Sequence, residues 1–450
     1  MKTVLIHAYE CAPYHRPGST IGAQRPYQFA KHLPKFDWRA IVLCCDFSRR
    51  YTLDSRGDWK EVIRVRVQDA LEGWDGRNSL IIHLPSLQHA DGIDRMWFDT
   101  VIIDPINGVF APKPGVWTGI KRKMSTFLKL FRGDHSQSWQ PVAIYASEVL
   151  VEKSMKIDAQ IAEHGPDAGI YIASKIHAKF RIPWLIDFRD PVLSGKGKFI
   201  SFVLKLHLKR ASQTCQAIIN VTPPWVELDK RLFSGIPCHC ITNGYDEEEF
   251  IDLPEAVISN HLHLYYFGGI KSKQSFKLLF RALNLLSQEH SHVFENIKFG
   301  YNGPGKSKVI SEKEKYCPVL NAEIGSSIER KAAFSKAAQS DLLILLSKKE
   351  NDTYFSKGFY PGKAFEYLGL KKPILVIPSD HGLLDALVEQ TKTGKSFNNV
   401  KDLAEYILKA IEKKQNHLPL LNLKEIEIQK YSRAEQTKRL TGIMDELVGS

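Results

Sequence analysis

Residues 358–375 of the chain have the sequence GFYPGKAFEYLGLKKPIL. Pro361 and Gly362 are expected to open a helix, because proline is tolerated where the first amide groups have no partner. Lys363 and Glu366 are three residues apart and therefore share one face of that helix. The free amides of a helix start, together with a lysine, can hold a diphosphate, and Glu366 can accept hydrogen bonds from both hydroxyls of a ribose. An exposed Lys–Glu ion pair explains the same spacing, so both interpretations stay open here.

This stretch belongs to a series in which short apolar runs alternate with helical patterns. Strands are predicted over residues 262–267, 297–301, 341–346 and 373–378, and helices over residues 276–286, 328–338 and 362–370. Such alternation predicts a parallel sheet with helices on both faces. We therefore expect a Rossmann-like domain over residues 255–430, preceded by an acidic, proline-containing linker over residues 246–254.

The N-terminal half shows the same alternation. Strands are predicted over residues 3–8, 39–45, 100–104, 168–172, 183–187, 217–221 and 240–243, and helices over residues 23–33 and 174–180. These elements predict a second Rossmann-like domain over residues 1–245, with an insertion over about 108–140, and a final helix over about 432–447 can pack back on it. The fold class expected is α/β with two doubly wound Rossmann-like domains, which suits a chain of 450 residues.

Four motifs of the C-terminal half resemble those of GT-B glycosyltransferases of family 4. PGKAFEYLGLKKPIL is similar to the donor-binding motif of that family, and YYFGGI resembles its glycine turn before the basic loop that holds the donor phosphates. IKFGYNGPG resembles the strand and turn beside the nucleotide base, and SDLLILLSKKE resembles the strand that leads to the nucleotide pocket. The resemblance implies that the donor is bound by Gly269, Lys271, Lys273, Gly303, Gly362 and Glu366, with Lys363 at the catalytic centre.

Two motifs of the N-terminal half are similar to the same family. RPGSTIGAQRPYQFAKHL resembles its glycine-rich first loop, which implies that Gly22 faces the donor and that Arg25 lies on the following helix as a further donor-binding residue. IPWLIDFRDPV resembles a loop of one branch of the family, and it implies that Arg189 and Asp190 project from the end of a parallel strand as catalytic residues. A simple strand-to-helix turn and a structural ion pair are the alternative interpretations of these two segments.

This chain departs from the family pattern in three places. Many members have a histidine where this chain has Arg189 and Asp190, and many have a glutamate at the position of Gly358. The usual arginine after the glycine turn is replaced by Gly269-Ile270, so Lys271 or Lys273 must supply the positive charge. These differences concern the sugar and phosphate contacts and leave the predicted fold unchanged.

The resemblance implies transfer of a sugar from a nucleoside diphosphate to an acceptor hydroxyl, in a cleft that the two domains face. It further implies retention of anomeric configuration, no metal and no cofactor beyond the nucleotide-sugar donor. The acceptor would be a glycan, a lipid or a small molecule, for example in cell-surface polysaccharide or glycolipid synthesis. A GT-B sugar-nucleotide epimerase and a non-catalytic scaffold that binds anionic ligands are the alternative functions.

The formal net charge of +12 bears on the choice of partners. Two clusters interleave basic and apolar residues, over 121–132 and 196–210, a pattern that suits an anionic membrane surface but also an amphipathic helix that covers its own core. No recognition helix or stacked-aromatic signature indicates nucleic acid.

The seven cysteines lack metal-type spacing, and the apolar run at the N-terminus is too short for a signal peptide. We therefore expect a cytoplasmic protein, membrane-associated if these clusters contact lipid.

Overall fold

The computed structural model describes residues 1–13, 20–47, 52–55, 57–88, 136, 138–191, 205–206, 208–255, 259–347 and 358–449. These residues form two compact units, the first comprising Met1–Thr242 with Thr437–Ser450 and the second comprising Asn243–Gln436. The predicted strand over 100–104, the basic cluster over 121–132 and most of the predicted insertion over 108–140 lie outside the described residues.

The first unit is built on a parallel sheet of seven strands. The strands of this unit are β1 Lys2–His7, β2 Trp38–Cys45, β3 Thr52–Asp54, β4 Leu80–Leu84, β5 Ser86–Gln88, β6 Ala159–His164, β7 Trp184–Phe188, β8 Ala217–Asn220 and β9 Cys238–Cys240. The main sheet has the order β4-β2-β1-β6-β7-β8-β9, and β3 pairs with β5 in a separate parallel ladder. The central strands are buried, as expected for a parallel sheet with both faces covered.

Helices cover this sheet. They are α1 Thr20–His32, followed by a 3-10 turn Leu33–Phe36, then α2 Trp59–Glu72, α3 Gln140–Glu152, α4 Ala168–Phe180 and α5 Pro223–Leu232. The last helix of the chain spans Arg433–Gly449, and its Leu440 and Met444 are fully buried in the core of the first unit. The C-terminal residues therefore complete the hydrophobic core of the N-terminal unit.

The prediction of a strand over residues 168–172 is wrong, because these residues begin helix α4. Ile170 and Ile172 are β-branched and favour a strand, but the helix is buried on two sides, which hides its 3.6-residue period. The strand is instead β6, Ala159–His164, which the sequence analysis missed. Its Gln160 is fully buried and donates a hydrogen bond to the carbonyl of Ile182, so a polar residue interrupts the apolar run.

The second unit has a six-stranded parallel sheet. Its strands are β10 Leu262–Phe267, β11 Ile297–Asn302, β12 Ala322–Gly325, β13 Leu342–Leu346, β14 Ile374–Ile377 and β15 Gly394–Ser396, in the order β12-β11-β10-β13-β14-β15. The helices are α6 Lys277–Glu289, α7 Ser291–Phe294, α8 Lys306–Tyr316, α9 Arg330–Gln339, α10 Gly362–Gly369, α11 Leu383–Thr391, α12 Val400–Gln415 and α13 Glu425–Gln429, and the chain then enters α14, Arg433–Gly449. A 3-10 turn, Glu247–Phe250, lies within the predicted linker.

Both sheets have the strand order of a doubly wound fold. The order reverses between β1 and β6 in the first unit and between β10 and β13 in the second. The prediction of an α/β chain with two Rossmann-like domains is therefore confirmed. In such sheets ligands bind outside the carboxyl ends of the strands at the reversal point. Among the described residues, each helix is too short or too polar to cross a lipid bilayer.

Candidate functional site

A glycine turn follows β10 at the reversal point of the second unit. Gly268 has φ +94°, a conformation that side chains with a Cβ rarely adopt. A Cβ at this position would also lie 2.8 Å from Cε of Lys363. Gly303 packs directly against the carbonyl oxygen of Gly268, so its lack of a side chain lets the turns after β10 and β11 touch. Glycine is therefore required where these two turns meet.

Two tyrosines support this turn from the sheet. The Tyr266 hydroxyl donates to the carbonyl oxygen of Gly269 at 2.7 Å, and the Tyr301 hydroxyl donates to that of Gly268 at 3.2 Å. The Tyr301 hydroxyl also accepts from the amide of Gly305 at 2.9 Å. The two rings stack with centroids 5.8 Å apart and an interplanar angle of 10°. The turn is thus held by side chains that the sequence analysis did not single out.

Lys363 reaches this turn from the first residues of α10. Its Nζ donates to the Tyr266 hydroxyl at 2.6 Å and to the carbonyl oxygen of Gly269 at 3.2 Å, and it lies 4.2 Å from the centroid of the Tyr266 ring. Burial lowers the pKa of Lys363 to about 8, an effect that Glu366 opposes and Lys271 reinforces. The ammonium therefore lies on the turn, where its partners among the described residues are two neutral oxygens and a ring face.

Glu366 lies one turn further along α10, with 18% of its side chain exposed. Its Oε1 accepts a hydrogen bond from Nη1 of Arg330 at 2.6 Å. Arg330 in turn donates to both carboxylate oxygens of Glu249, at 2.9 and 3.0 Å. Lys363 and Glu366 thus lie one helical turn apart on α10, as predicted from their spacing. Arg330 and Glu249, which were not predicted, form an ion-pair network with Glu366.

The remaining predicted donor-binding residues of this unit lie around the same turn. Lys271 and Lys273 are exposed, and Nζ of Lys271 lies 4.5 Å from the centroid of the Phe359 ring. Gly362 is the first residue of α10, and Pro361 before it provides no side-chain cap. The first amides of the helix are therefore not capped by a side chain of that residue.

Arg25, a predicted donor-binding residue, is buried in the first unit. Its Nε and Nη2 donate to the two carboxylate oxygens of Asp187 at 2.7 and 3.0 Å. Nη1 donates to the carbonyl oxygen of Thr242, and Nη2 also donates to that of Ile241. Only 1% of the Arg25 side chain and 2% of that of Asp187 are exposed. This geometry is that of a structural ion pair inside the first unit.

Arg189 and Asp190 follow β7, but only Asp190 is exposed. Nη2 of Arg189 donates to the carbonyl oxygen of Gly165 at 2.8 Å, and its Nε lies 3.1 Å from Oε1 of Glu163. Gly165 has φ +138°, and a Cβ there would lie 2.6 Å from Nη2 of Arg189. Burial raises the pKa of Glu163 to about 8, an effect that Arg189 opposes and Asp187 reinforces. The guanidinium is thus held by the end of the neighbouring strand.

Gly22 lies within helix α1, and it is half-buried. Gly22 was predicted to lie in the loop before a helix that begins at residue 23, whereas the helix begins at Thr20. Gly22 is therefore in the first turn, where backbone amides have no partner within the helix. Its amide remains able to face a ligand, but as part of a helix start.

The signals for the missed residues were weak. Arg330 and Glu249 lie at the start of a predicted helix and in a predicted linker, and 36 residues separate Arg330 from Glu366. Glu163 was hidden in the undetected strand β6. Within the described ranges, no group of three or more His, Cys, Asp or Glu side chains is placed to hold a metal ion.

No protein-family model and no curated protein matches the sequence. The structure is similar to sucrose-phosphate synthase from Thermosynechococcus elongatus, with a TM-score of 0.55 and 10% identity over the whole of both chains. It is also similar to HepE from Anabaena in complex with UDP, with a TM-score of 0.52 and 12% identity over 99% of this chain and 100% of the other. A third similar structure is a putative UDP-N-acetylglucosamine 2-epimerase from Listeria monocytogenes, with a TM-score of 0.50 and 11% identity over 99% of this chain and 96% of the other. At these identities the similarity establishes a shared fold of two Rossmann-like domains.

Proposed function

We propose that this protein is a glycosyltransferase that binds a nucleoside-diphosphate sugar on its second unit and transfers the sugar to an acceptor hydroxyl. The observation that carries the proposal is the meeting of three features at the reversal point of the second sheet. A glycine turn follows β10, Lys363 lies on that turn, and Glu366 lies one helical turn away. Glycines and helix starts suit phosphates, and a carboxylate suits the hydroxyls of a ribose.

The donor diphosphate would lie over Gly268 and Gly269, against the start of α10, where Pro361 provides no side-chain cap. Lys363 would exchange its hydrogen bonds to Tyr266 and Gly269 for stronger, charge-assisted ones to phosphate oxygens. The ribose would then reach Glu366, whose Oε2 accepts no hydrogen bond from the described residues. The complex of HepE with UDP supports a nucleoside diphosphate as the ligand class.

Catalysis then depends on the charge that develops on the leaving diphosphate. A positive group placed near that charge before the reaction lowers the barrier, because it needs no rearrangement in the transition state. Lys363, Lys271 and the amides of α10 would supply this stabilisation, with Lys273 as a further cation of the same loop. We propose that the reaction needs no metal and retains the anomeric configuration, with the leaving phosphate helping to deprotonate the acceptor.

The first unit would hold the acceptor or the transferred sugar. Asp190 is exposed at the carboxyl end of β7, where a parallel sheet places its ligands. Arg189 is held beside it by Gly165 and Glu163. We propose these two residues as the acceptor-side groups, with a glycan, a lipid or a small molecule as acceptor and an anionic membrane surface as a further partner.

A sugar-nucleotide epimerase is the second candidate, because a putative epimerase shares this fold. Such an enzyme would act on the nucleotide sugar without an acceptor. Incubation of the protein with UDP-, GDP- and ADP-sugars, with and without a mixture of acceptor alcohols, separates the two. Release of nucleoside diphosphate with formation of a glycoside supports the transferase, and an epimerised nucleotide sugar formed from donor alone replaces it.

Glu366→Ala tests the donor site directly. Loss of a hydrogen bond to a charged group should weaken nucleoside diphosphate binding by about 1.5–3 kcal/mol. Titration calorimetry with UDP, GDP and ADP would identify the nucleotide that the parent binds, and the variant would then be titrated with it. Glu289→Ala, at an exposed position of α6, is the matched control and should bind as the parent does. Equal affinities in parent and Glu366→Ala would remove Glu366 from the site.

A further inference from the structure

Three side chains from separate parts of the second unit form one ion-pair network beside the nucleotide site. Glu249 comes from the 3-10 turn Glu247–Phe250, Arg330 is the first residue of α9, and Glu366 lies on α10. Arg330 uses Nε and Nη2 for the two oxygens of Glu249 and Nη1 for Oε1 of Glu366. One guanidinium therefore joins both carboxylates.

An aromatic cluster fixes the plane of this guanidinium. The central carbon of Arg330 lies 4.5 Å from the centroid of the Phe334 ring. Phe334 is almost fully buried and packs on Phe250 and Phe267, with ring centroids 5.1 and 5.7 Å apart. Arg330 therefore stacks on an aromatic ring and forms a bidentate ion pair. The two contacts together restrict the orientation of its guanidinium group.

The network differs from an ordinary surface ion pair in its consequence for Glu366. An exposed pair contributes little to stability, typically about 0–1 kcal/mol. Here, however, one carboxylate oxygen is bound at 2.6 Å by a fixed donor, and the other accepts no hydrogen bond from the described residues. A carboxylate held by one oxygen presents its other oxygen in a defined direction, so a ligand need not order it on binding.

We propose that Arg330 is a positioning residue of the nucleotide site, which orients Glu366 so that Oε2 receives the hydroxyls of the ribose. This inference rests on the proposed function, because it requires a nucleotide whose ribose meets Glu366. Glu249 acts one step further away, by holding the other side of the guanidinium. The network therefore favours ribonucleotides, while the phosphates are bound by Lys363 and the glycine turn.

The test compares three ligands in calorimetric titrations: the nucleoside diphosphate that the parent binds, its 2′,3′-dideoxy analogue and inorganic pyrophosphate. Arg330→Ala should weaken binding of the ribonucleotide about tenfold and leave binding of the other two within about twofold, because only the ribose needs an oriented Glu366. Arg330→Lys keeps the positive charge but loses the bidentate guanidinium. Its affinity for the ribonucleotide should lie between those of Arg330→Ala and the parent. Arg281→Ala, at an exposed position of α6, should match the parent with all three ligands.

A double-mutant cycle adds a readout that a purely structural role would not produce. Once Glu366 is replaced by alanine, Arg330→Ala should cause no further loss of ribonucleotide affinity. Glu249→Gln leaves Arg330 in place but weakens the ion pair that orients its guanidinium. It should weaken binding of the ribonucleotide by about threefold and leave binding of the other two ligands unchanged. This variant replaces Arg330→Ala if the latter fails to fold. Equal losses for all three ligands, or no loss for any, would overturn the positioning role. A parent that binds no nucleotide overturns the proposed function and this inference with it.

Discussion

The two units place charged side chains at the same position of the same fold, but they use them differently. At the strand ends of the first sheet, Arg25 and Asp187 satisfy each other in a site with almost no exposed surface. At the strand ends of the second sheet, Lys363 is bound by a phenol, a carbonyl oxygen and a ring face. The ion pair of the first unit stabilises the fold. Lys363 in the second unit carries a positive charge that an anion can bind.

The difference shows that a charged residue near a strand end is not by itself a ligand-binding residue. Arg25 already donates to a carboxylate and to two carbonyl oxygens, so a ligand would have to replace strong hydrogen bonds. Among the residues that the structure describes, Lys363 donates to neutral acceptors only, and burial disfavours its charge. A phosphate would relieve that cost, which supports the proposal that the second unit binds the nucleotide.

The largest effect is expected from breaking the buried pair of the first unit. Arg25→Met leaves Asp187 as a buried carboxylate without its cation, and such losses cost about 3–5 kcal/mol in the free energy of unfolding. Chemical denaturation followed by fluorescence and circular dichroism would measure it. Arg210→Met, at an exposed position, is the matched control and should unfold as the parent does.

The double variant Arg25→Met with Asp187→Leu sharpens this result. Replacing both charges by apolar groups removes the unpaired carboxylate, so the double variant should recover a large part of the lost stability. A parent-like stability of Arg25→Met alone would show that Arg25 is dispensable for the fold, and it would favour the prediction that Arg25 binds the donor.

The next largest effect is expected on turnover, from Lys363→Ala in the second unit. Loss of a charge-stabilising donor typically lowers the rate on the order of 10²-fold or more. Steady-state kinetics with the donor identified above would measure it, with Lys395→Ala as an exposed control in the same unit. EDTA should leave the parent rate unchanged. Activity that is abolished by EDTA and restored by Mg²⁺ or Mn²⁺, with Lys363→Ala nearly as active as the parent, would favour a metal-dependent mechanism instead.

The sequence was sufficient to predict the buried strands that are continuous apolar runs, and the helix that carries Lys363 and Glu366. Strands such as Leu342–Leu346 are continuous apolar runs, and Pro361-Gly362 marks the helix start that the structure has. Short edge strands such as Ala322–Gly325 and Gly394–Ser396 escaped, because few residues and half-buried side chains give no clear period.

From spacing alone, the candidate site was predictable only where its residues are close together along the chain. Lys363 and Glu366 share a helix face, and this spacing is visible in the sequence. The partner of Glu366 is 36 residues away, and the partner of Arg25 is 162 residues away. Such pairings depend on the order of strands in the sheet, which no local pattern contains, so Arg330 was missed and the buried ion pair of Arg25 with Asp187 was not predicted.

The smallest effect in this series is the pH dependence of nucleotide binding, which also separates the two units. Lys363 has a pKa of about 8 in the ligand-free protein, lowered first by burial and also by Lys271, and Glu366 opposes this shift. A bound diphosphate favours the ammonium and raises that pKa, so binding takes up a proton wherever the free amine is neutral. The contribution of Lys363 to the affinity should therefore be almost complete at pH 7 and be lost as the pH rises through 8.

We expect the affinity for the nucleoside diphosphate to fall about tenfold between pH 7 and pH 9, since each unit of pH above the free pKa costs about 1.4 kcal/mol. Calorimetry in buffers with different ionisation enthalpies would measure both the affinity and the proton uptake. Glu163→Gln is the control in the first unit, because Glu163 also titrates near pH 8 but lies outside the nucleotide site. Burial raises the pKa of Glu163 from 4.5 to about 8, so the folded protein keeps a proton there that the unfolded chain releases. The free energy of unfolding of the parent should therefore decline from about pH 4.5 to 8, whereas its nucleotide affinity should not depend on Glu163. A fall in affinity that persists in Lys363→Ala, or that disappears in Glu163→Gln, would show that Lys363 is not the group that meets the phosphates.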